Sequence, residues 1–272
     1  AAAAIEAYKQ EIMEPGDKIV EGGEYVHYTL QPQAALTIID QSTGEVKAIV
    51  GGRGDKVANR TLNRATDSTR QPGSTFKVLA AYAPALDGAG MTLATVEDDA
   101  PYAYANGTSL RNYDNRYRGF TSLRTAITYS INVVTVKCLT DVGVDNGFSY
   151  LQDFGFTTLK DSDRVQSLAL GGVTDGVTNL ELTAAYATIA NGGTYTKPRF
   201  YTKILDHDGN VLIDNTPQTR SVLKETTAWL LTDAMKDVIT VGTGKLCNFD
   251  GMIKRQGQMR ASTLAFILFL VC

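Results

Sequence analysis

A serine and a lysine stand three residues apart in the segment RQPGSTFK, residues 70–77. A proline–glycine pair, which is typical of turns, precedes the serine, and an apolar run begins at Phe76. This run predicts a largely buried helix that ends at Gly88 or shortly after it. Ser74 therefore falls at the start of the helix, and Lys77 lies on the same helix face.

These two side chains have the chemistry that acyl transfer requires. A serine hydroxyl is a poor nucleophile until a base removes its proton, and burial can lower the pKa of a lysine enough for it to be that base. The N–H groups at a helix start can stabilise an oxyanion. Ser74 is thus a candidate nucleophile and Lys77 a candidate base. The alternative is that Ser74 only caps the helix and that Lys77 is a solvated surface residue.

A second polar pair, Ser130 and Asn132, lies in the segment TYSINVV at a joint between two helical stretches. A hydroxyl there could relay a proton to a leaving amine. An amide there could bind an extended peptide and orient the lysine. The alternative is that Ser130 or Asn132 caps the helix that follows, since both residue types are favoured at that position.

Composition and charge exclude several other classes of function. The 272 residues are 43% hydrophobic, which is enough for one large domain or two modest ones. A net charge of −3, from 26 basic and 29 acidic residues with no basic block, argues against a nucleic-acid partner. Cys138, Cys247 and Cys272 have no C-x-x-C spacing, so we expect no metal site and no cofactor.

The order of the predicted elements is mixed. A hairpin (ALTIID and VKAIVGG) comes first, several helices follow, and then come a second hairpin (RFYTKILD and VLID) and a last helix over residues 224–239. Asp145 and Asn179 are predicted to cap the helices that follow them. Because strands and helices do not alternate as in a doubly wound sheet, the order favours an α+β fold with helices packed on an antiparallel sheet.

The two motifs and the phrases around them resemble a known family. S-x-x-K followed by S-x-N is the motif order of the penicillin-recognising serine acyltransferases. QPQAALTIIDQSTGEVKAIVGG, NRATDSTRQPGSTFK and SLALGGVTDGVTNLELTAAYATIANGGTYTKP are similar to phrases in the transpeptidase domain of bifunctional (class A) penicillin-binding proteins. The resemblance implies the α+β fold shared by penicillin-binding proteins and β-lactamases. It implies a linker at residues 1–31, a partial transpeptidase domain at 32–252 and a tail outside the family at 253–272.

The resemblance also implies a function, that of a peptidoglycan D,D-transpeptidase. Ser74 would attack the carbonyl between two D-alanines of a stem peptide with Lys77 as general base, and β-lactams would acylate the same serine. Ser130 and Asn132 would be the proton shuttle and the substrate-orienting residue. Such domains work on the extracytoplasmic face of the bacterial cell membrane, on the periplasmic or cell-wall side. The family's glycosyltransferase domain and membrane anchor would precede residue 1.

The similarity stops after the phrase GTGKLCNFDGM, residues 242–252. The family's third motif, K-T-G or K-S-G, would supply a cation for the substrate carboxylate and lead to an oxyanion-hole N–H. The sequence after residue 252 contains neither form, and Lys245 and Lys254 do not match it. We interpret residues 253–272 as the product of a reading-frame error or a truncated gene, which would leave the fold incomplete at the C-terminus.

The missing motif and strands predict an impaired chain. An unpaired sheet edge is an aggregation hazard, so we expect poor solubility or inactivity. The apolar run at residues 264–271 is too short to span a bilayer. It could pair as a substitute strand, but nothing in it sets a register. The alternatives are a catalytically dead remnant that serves as a scaffold, or a D,D-carboxypeptidase or β-lactamase, which S-I-N in place of S-D-N disfavours.

Overall fold

The computed structural model describes residues 17–19, 25–27, 33–54, 59–247 and 267–271. The strands of the first half are β1 (Asp17–Ile19), β2 (Tyr25–His27), β3 (Gln33–Ile39), β4 (Val46–Val50), β5 (Thr69–Arg70), β6 (Val96–Asp99), β7 (Tyr102–Ala103), β8 (Ser109–Leu110) and β9 (Gly119–Ser122). Those of the second half are β10 (Val177–Thr178), β11 (Thr194–Thr196), β12 (Lys203–Leu205), β13 (Val211–Asp214), β14 (Thr219–Ser221) and β15 (Ile267–Val271).

The helices lie between these strands. A composite helix, α1, is followed by α2 (Leu123–Thr128), α3 (Asn132–Val142), α4 (Val144–Asp153), α5 (Asn179–Ala190) and α6 (Glu225–Thr240). Short 3-10 turns occupy Asp161–Asp163, Gln166–Leu170 and Lys245–Cys247. Within the described ranges, no helix combines the length and apolar character needed to cross a membrane.

Helix α1 carries the S-x-x-K segment and is wound in three ways. It begins as a 3-10 turn (Gly73–Thr75), continues as a π-helical segment (Lys77–Tyr82) and ends as an α-helix (Ala83–Asp87) capped by Gly88. All residues from 76 to 85 are buried. The predicted buried helix and its end at a glycine are confirmed. The π winding was not predicted, because a helix that is apolar all round gives no periodicity from which its winding can be inferred.

Helices α1 and α3 form the middle of the main hydrophobic core. Leu79 and Tyr82 of the first helix and Val133 and Leu139 of the second belong to the same buried cluster. The phenol of Tyr82 and the hydroxyl of Thr135 are joined by a 2.7 Å hydrogen bond inside this core. The two helices that bear the sequence motifs are therefore held together by apolar burial and by a satisfied polar contact.

The central sheet is antiparallel, with the strand order β15–β3–β4. Alternate residues of β3, namely Ala35, Thr37 and Ile39, are buried. Ile39 packs with Ala184 of α5, and the hydroxyl of Thr37 donates a 2.6 Å hydrogen bond to Asn179 Oδ1 at the start of that helix. The first predicted hairpin and the α+β fold with an antiparallel sheet are confirmed.

The expectation of an unpaired sheet edge is wrong. Strand β15 pairs with β3 on the side away from β4, with Ile267 opposite Thr37 and Val271 opposite Gln33. The pairing uses backbone N–H and C=O groups, which any extended segment can supply. The side-chain pattern of this tail does not fix a register, so the pairing could not be predicted from the sequence.

Two predicted helix caps are also wrong. Asp145 lies within the first turn of α4, whose N-cap is Gly143 at φ 91°, and its carboxylate pairs with Arg164 at 2.9 Å. The cap of α5 is Thr178, one residue before Asn179. Thr178 Oγ1 accepts a hydrogen bond from the N–H of Glu181, whose carboxylate accepts one from the N–H of Thr178. This reciprocal capping box leaves the Asn179 side chain for the sheet. The second hairpin (β12–β13) and the last helix are observed as predicted.

Candidate active site

Ser74 lies at the centre of the 3-10 turn that opens α1, and its side chain is exposed. The N-cap of this turn is Pro72, so the alternative that Ser74 caps the helix is wrong. Neither the hydroxyl nor the N–H of Ser74 makes a hydrogen bond within the described part of the chain. A hydroxyl and an amide at one exposed residue thus both lack a hydrogen-bond partner among the described residues.

The chain just before Ser74 is held by hydrogen bonds to the segment around residues 171–173. The Gln71 side chain bonds both backbone groups of Val173: Oε1 accepts from its N–H at 3.0 Å, and Nε2 donates to its carbonyl. Strand β5, which leads into the turn, pairs with β10. These contacts fix the direction from which the chain enters the serine turn.

Gly171 allows two backbones to meet directly behind the serine. It has φ 73°, and a Cβ at this position would lie 2.4 Å from the carbonyl oxygen of Gly73. Only glycine permits both that conformation and that approach. On another side, the phenol of Tyr186 donates a 2.7 Å hydrogen bond to the carbonyl of Thr75. The segment SLALGG, residues 167–172, gives no sign in the sequence that it positions the serine.

Lys77 is buried, with 2% of its surface exposed. Its Nζ donates to the Ser130 carbonyl at 2.6 Å, lies 2.9 Å from Ser130 Oγ, and donates to Asn132 Oδ1 at 2.6 Å. The alternative that Lys77 is a solvated surface residue is therefore wrong. The structure brings the S-x-x-K lysine and both polar residues of the S-x-N motif into direct contact, and it places Ser74 three residues before that lysine on the same helix.

Burial lowers the pKa of Lys77 to about 7. Removal from water penalises the ammonium form, and hydrogen bonds to neutral oxygens do not offset that loss as a carboxylate would. Near neutral pH, a large fraction of the molecules consequently carries the uncharged amine. This is the protonation state that a general base at this position needs.

The backbone at Ser130 is strained, and neither Ser130 nor Asn132 caps a helix. Ser130 has φ 53°, a left-handed conformation that is uncommon outside glycine. The N-cap of α3 is Ile131, with no side-chain cap, and Asn132 is the first helical residue. Asn132 instead uses its Oδ1 for Lys77 and donates from Nδ2 to the Arg111 carbonyl at 2.8 Å. The capping alternative for both residues is wrong.

Two further features near the site were not recognised from the sequence. The N–H of Thr243, in the G-T-G phrase, donates to the carbonyl of Thr128, two residues before Ser130, and a Cβ on Gly242 would lie 2.1 Å from that carbonyl oxygen. Asn112, from a loop rich in polar residues, accepts a hydrogen bond from the N–H of Asn132. A glycine can signal a close approach of two backbones, but its partner cannot be read from a single sequence.

Comparison with known proteins supports the same assignment of family. A family model described as the penicillin-binding protein transpeptidase domain matches residues 34–256. Penicillin-binding protein 1A of Clostridium acetobutylicum is 37% identical over 236 residues, which cover 82% of this chain and 29% of that protein. Penicillin-binding protein 1F of Bacillus subtilis is 36% identical over 231 residues, which cover 85% and 31%. The chain thus spans about 30% of the length of these relatives.

Solved structures share the fold. A crystal structure of penicillin-binding protein 1A from Haemophilus influenzae superposes with a TM-score of 0.68 at 26% identity, covering 84% of this chain and 38% of that one. An imipenem acyl-enzyme complex of penicillin-binding protein A from M. tuberculosis gives 0.68 at 25% identity, covering 77% and 58%. With the family match and the curated relatives, these likenesses show that the chain belongs to the penicillin-binding protein transpeptidase family, as a transpeptidase domain of the class A type.

Proposed function

We propose that this chain is a serine D,D-transpeptidase domain of peptidoglycan synthesis, with Ser74 as nucleophile and Lys77 as general base. The environment of Lys77 gives the strongest support for these two roles. A buried lysine, its pKa lowered by desolvation, contacts the hydroxyl of Ser130 and the amide of Asn132, three residues after a serine whose hydroxyl is unpaired among the described residues. The candidate nucleophile therefore lies on the same helix as the candidate base, and that base contacts the candidate proton relay just before α3.

In the acylation step, neutral Lys77 takes the proton of Ser74, and Ser74 Oγ attacks the carbonyl carbon of the penultimate D-alanine. The N–H of Ser74 donates to the oxyanion as it forms. When the tetrahedral intermediate collapses, its C–N bond breaks. Ser130 gives its proton to the departing amine and regains one from the Lys77 ammonium. The products are an ester on Ser74 and free D-alanine.

The second step transfers the acyl group to a neighbouring stem peptide. The amine of that peptide attacks the Ser74 ester and loses a proton to the base. The C–O bond to the serine then breaks, and Ser74 Oγ takes that proton back from Lys77, which closes the cross-link and restores the free hydroxyl. Asn132 has a role in both steps, because its Oδ1 holds Lys77 while one N–H of its amide stays available to a substrate carbonyl. β-Lactams would acylate Ser74 in the same way, except that their leaving amine stays attached.

The sequence after residue 252 also bears on the rate of acylation. The 272-residue sequence has no K-T-G or K-S-G after residue 252. Loss of one oxyanion donor costs about 2.7–4 kcal/mol of transition-state stabilisation, or roughly 100- to 1,000-fold in kcat. We therefore expect residues 1–272 by themselves to be acylated slowly. We also propose that the domain meets its stem-peptide substrates on the extracytoplasmic face of the cell membrane, in agreement with the family of its relatives.

Labelling with a fluorescent penicillin tests the proposal. Wild type and Thr75→Val, which removes the neighbouring hydroxyl, should both retain a covalent label after denaturing electrophoresis, and Ser74→Ala should retain none. Absence of label on folded wild type would contradict the proposal and favour the second candidate, a non-catalytic scaffold, to which the missing third motif points. Rapid loss of the label by hydrolysis would instead indicate a D,D-carboxypeptidase or β-lactamase.

A further inference from the structure

The side chain of Asn112 lies directly behind the S-x-N motif and is 3% exposed. Its Oδ1 accepts hydrogen bonds from the N–H of Asn132 at 2.9 Å and from the N–H of Val133 at 3.2 Å. These are the first two N–H groups of α3, whose N-cap residue, Ile131, offers them no side-chain acceptor. Asn112 therefore caps the motif helix from a loop about 20 residues earlier in the chain.

A buried carboxylate fixes the orientation of this amide. Asn112 Nδ2 donates to Asp99 Oδ1 at 2.7 Å and to the carbonyl of Arg116 at 2.8 Å. Asp99 has no exposed surface, and its other oxygen accepts from the N–H of Arg118 at 3.0 Å. An ionised carboxylate can only accept, so it holds the NH₂ group of Asn112 towards itself and the carbonyl oxygen towards α3.

The same loop holds Asn132 at two atoms. Asn112 Oδ1 accepts a hydrogen bond from the backbone N–H of Asn132, and the carbonyl of Arg111 accepts one from Asn132 Nδ2. The remaining polar atom of the side chain, Oδ1, faces Lys77 Nζ at 2.6 Å. A shift of the loop would therefore move the oxygen that holds the base.

We propose that Asn112, oriented by Asp99, is a positioning residue for acyl transfer, an inference that rests on the proposed function of Ser74 and Lys77. It acts through Asn132 and does not touch the substrate. Its contribution is to hold the first turn of α3, with Asn132 Oδ1 and the neighbouring Ser130, against the amine of Lys77. Misplacement of a reacting group by about 1 Å can cost on the order of 100-fold in rate.

A purely structural cap elsewhere in the molecule provides the control. Asp87, at the end of α1, accepts a 2.8 Å hydrogen bond from the N–H of Lys224, the N-cap residue of α6, and a 2.9 Å bond from the phenol of Tyr150. It stabilises a helix start from a distance, as Asn112 does, but it has no contact with Lys77 or with the S-x-N motif. Asp87→Ala and Asn112→Ala should both lower stability towards urea.

The first experiment compares the second-order rate constant for penicillin acylation in the two variants. We expect a fall of about 10- to 100-fold in Asn112→Ala and a change within about twofold in Asp87→Ala. Asn112→Asp should also be slow, because it sets two carboxylates against each other. The double variant Asp99→Asn with Asn112→Asp should recover only part of the rate, because it restores one donor and one acceptor between positions 99 and 112 but leaves the Arg116 carbonyl without its donor. Equal losses in Asn112→Ala and Asp87→Ala, or no loss in Asn112→Ala, would overturn the proposal.

A second measurement does not depend on acylation. The ¹³Cε signal of Lys77, assigned with Lys77→Arg, is followed through a pH titration by NMR. Wild type and Asp87→Ala should titrate near the lowered value of about 7, whereas Asn112→Ala should titrate closer to an ordinary lysine as water reaches the amine. A titration of Asn112→Ala unchanged from wild type would refute the positioning role. A shifted titration in a chain that takes no penicillin would refute the proposed function, and only the structural part of the inference, that Asn112 holds Asn132 against Lys77, would remain.

Discussion

Lys77 affects both the chemistry of the site and the stability of the domain. Its side chain is buried without a carboxylate partner among its described contacts, and desolvation lowers its pKa from 10.5 to about 7. The folded protein therefore holds an amine that the unfolded chain would protonate. A residue that is costly to the fold and well suited to catalysis is common at active sites.

This burial predicts a specific pH dependence. Between about pH 7 and pH 10.5 the unfolded chain binds a proton at Lys77 that the folded chain does not, so this residue makes the free energy of unfolding rise with pH. Below about pH 7 its full penalty is present. In Lys77→Met the slope should be flatter across this window, by up to about 1.4 kcal/mol per pH unit. Urea unfolding from pH 6 to 9.5 measures it, and identical slopes would contradict the assignment.

Ser130 gives a second prediction at this scale, because it combines a needed hydroxyl with a strained backbone. Its φ of 53° costs a non-glycine residue roughly 1–2 kcal/mol. Ser130→Ala keeps the strain and loses the hydroxyl, whereas Ser130→Gly removes both. We expect both variants to be acylated much more slowly, with Ser130→Gly more stable than Ser130→Ala by about 1 kcal/mol in urea unfolding. Equal stability would show that the loop carries no such strain.

The four site residues predicted from the sequence are brought together or aligned on one helix, whereas Asn112 was missed. The difference is physical. Ser74 and Lys77 share one helix, and Ser130 and Asn132 one joint, so short spacings carry the information. Asn112 reaches its partner only through tertiary folding, and in a loop of Asn, Asp and Tyr its type is unremarkable.

At the scale of elements, the site is a meeting of two helix starts, and each start depends on a loop from elsewhere. The 3-10 turn at Ser74 packs against the backbone at Gly171, and the first turn of α3 is hydrogen-bonded to Asn112. The helices themselves were predictable from apolar runs and glycine stops. Their first turns were not predictable, as the wrong cap predictions at Asp145 and Asn179 show. Which polar group accepts hydrogen bonds from the free N–H groups of a helix depends on what lies nearby in the folded chain.

The contact at Gly171 predicts a selective loss of function. Gly171→Ala introduces left-handed strain and places a Cβ 2.4 Å from the Gly73 carbonyl oxygen, so the serine turn must shift. Gly107→Ala is the matched control, since its φ is 82° but its Cβ would meet nothing within 4 Å. We expect Gly107→Ala to lose about 1–2 kcal/mol and keep its acylation rate. Gly171→Ala should lose more stability and most of its acylation, as measured by urea unfolding and penicillin labelling.

At the scale of the whole molecule, the sheet and the site are coupled through α5. The sheet packs on one side of this helix through Ile39 and Ala184, and the phenol of Tyr186 reaches the serine turn. The antiparallel sheet and its first hairpin followed from alternation in the sequence. The pairing of strand β15 with β3 could not be predicted in this way. The partner of a short apolar run depends on which sheet edge is available and not on the residue pattern of the run.

That pairing makes a prediction for the 272-residue chain. Deleting residues 267–272 should leave the outer edge of β3 without its partner, and unpaired strand edges promote association. We expect the shortened chain to elute as larger species in size-exclusion chromatography and to unfold at lower urea concentration. Deleting Cys272 alone keeps the strand and should change neither property. Identical behaviour of the two deletions would show that β15 does not protect the edge in solution.

The position of the covalent adduct tests the role of Ser74 directly. After incubation with penicillin, trypsin releases residues 71–77 as one peptide, because it cleaves after Arg70 and Lys77, and tandem mass spectrometry locates the added mass. We expect one penicilloyl group, on Ser74 and not on Thr75. An adduct on Ser130 or Lys77, or none on folded protein after prolonged incubation, would contradict this expectation.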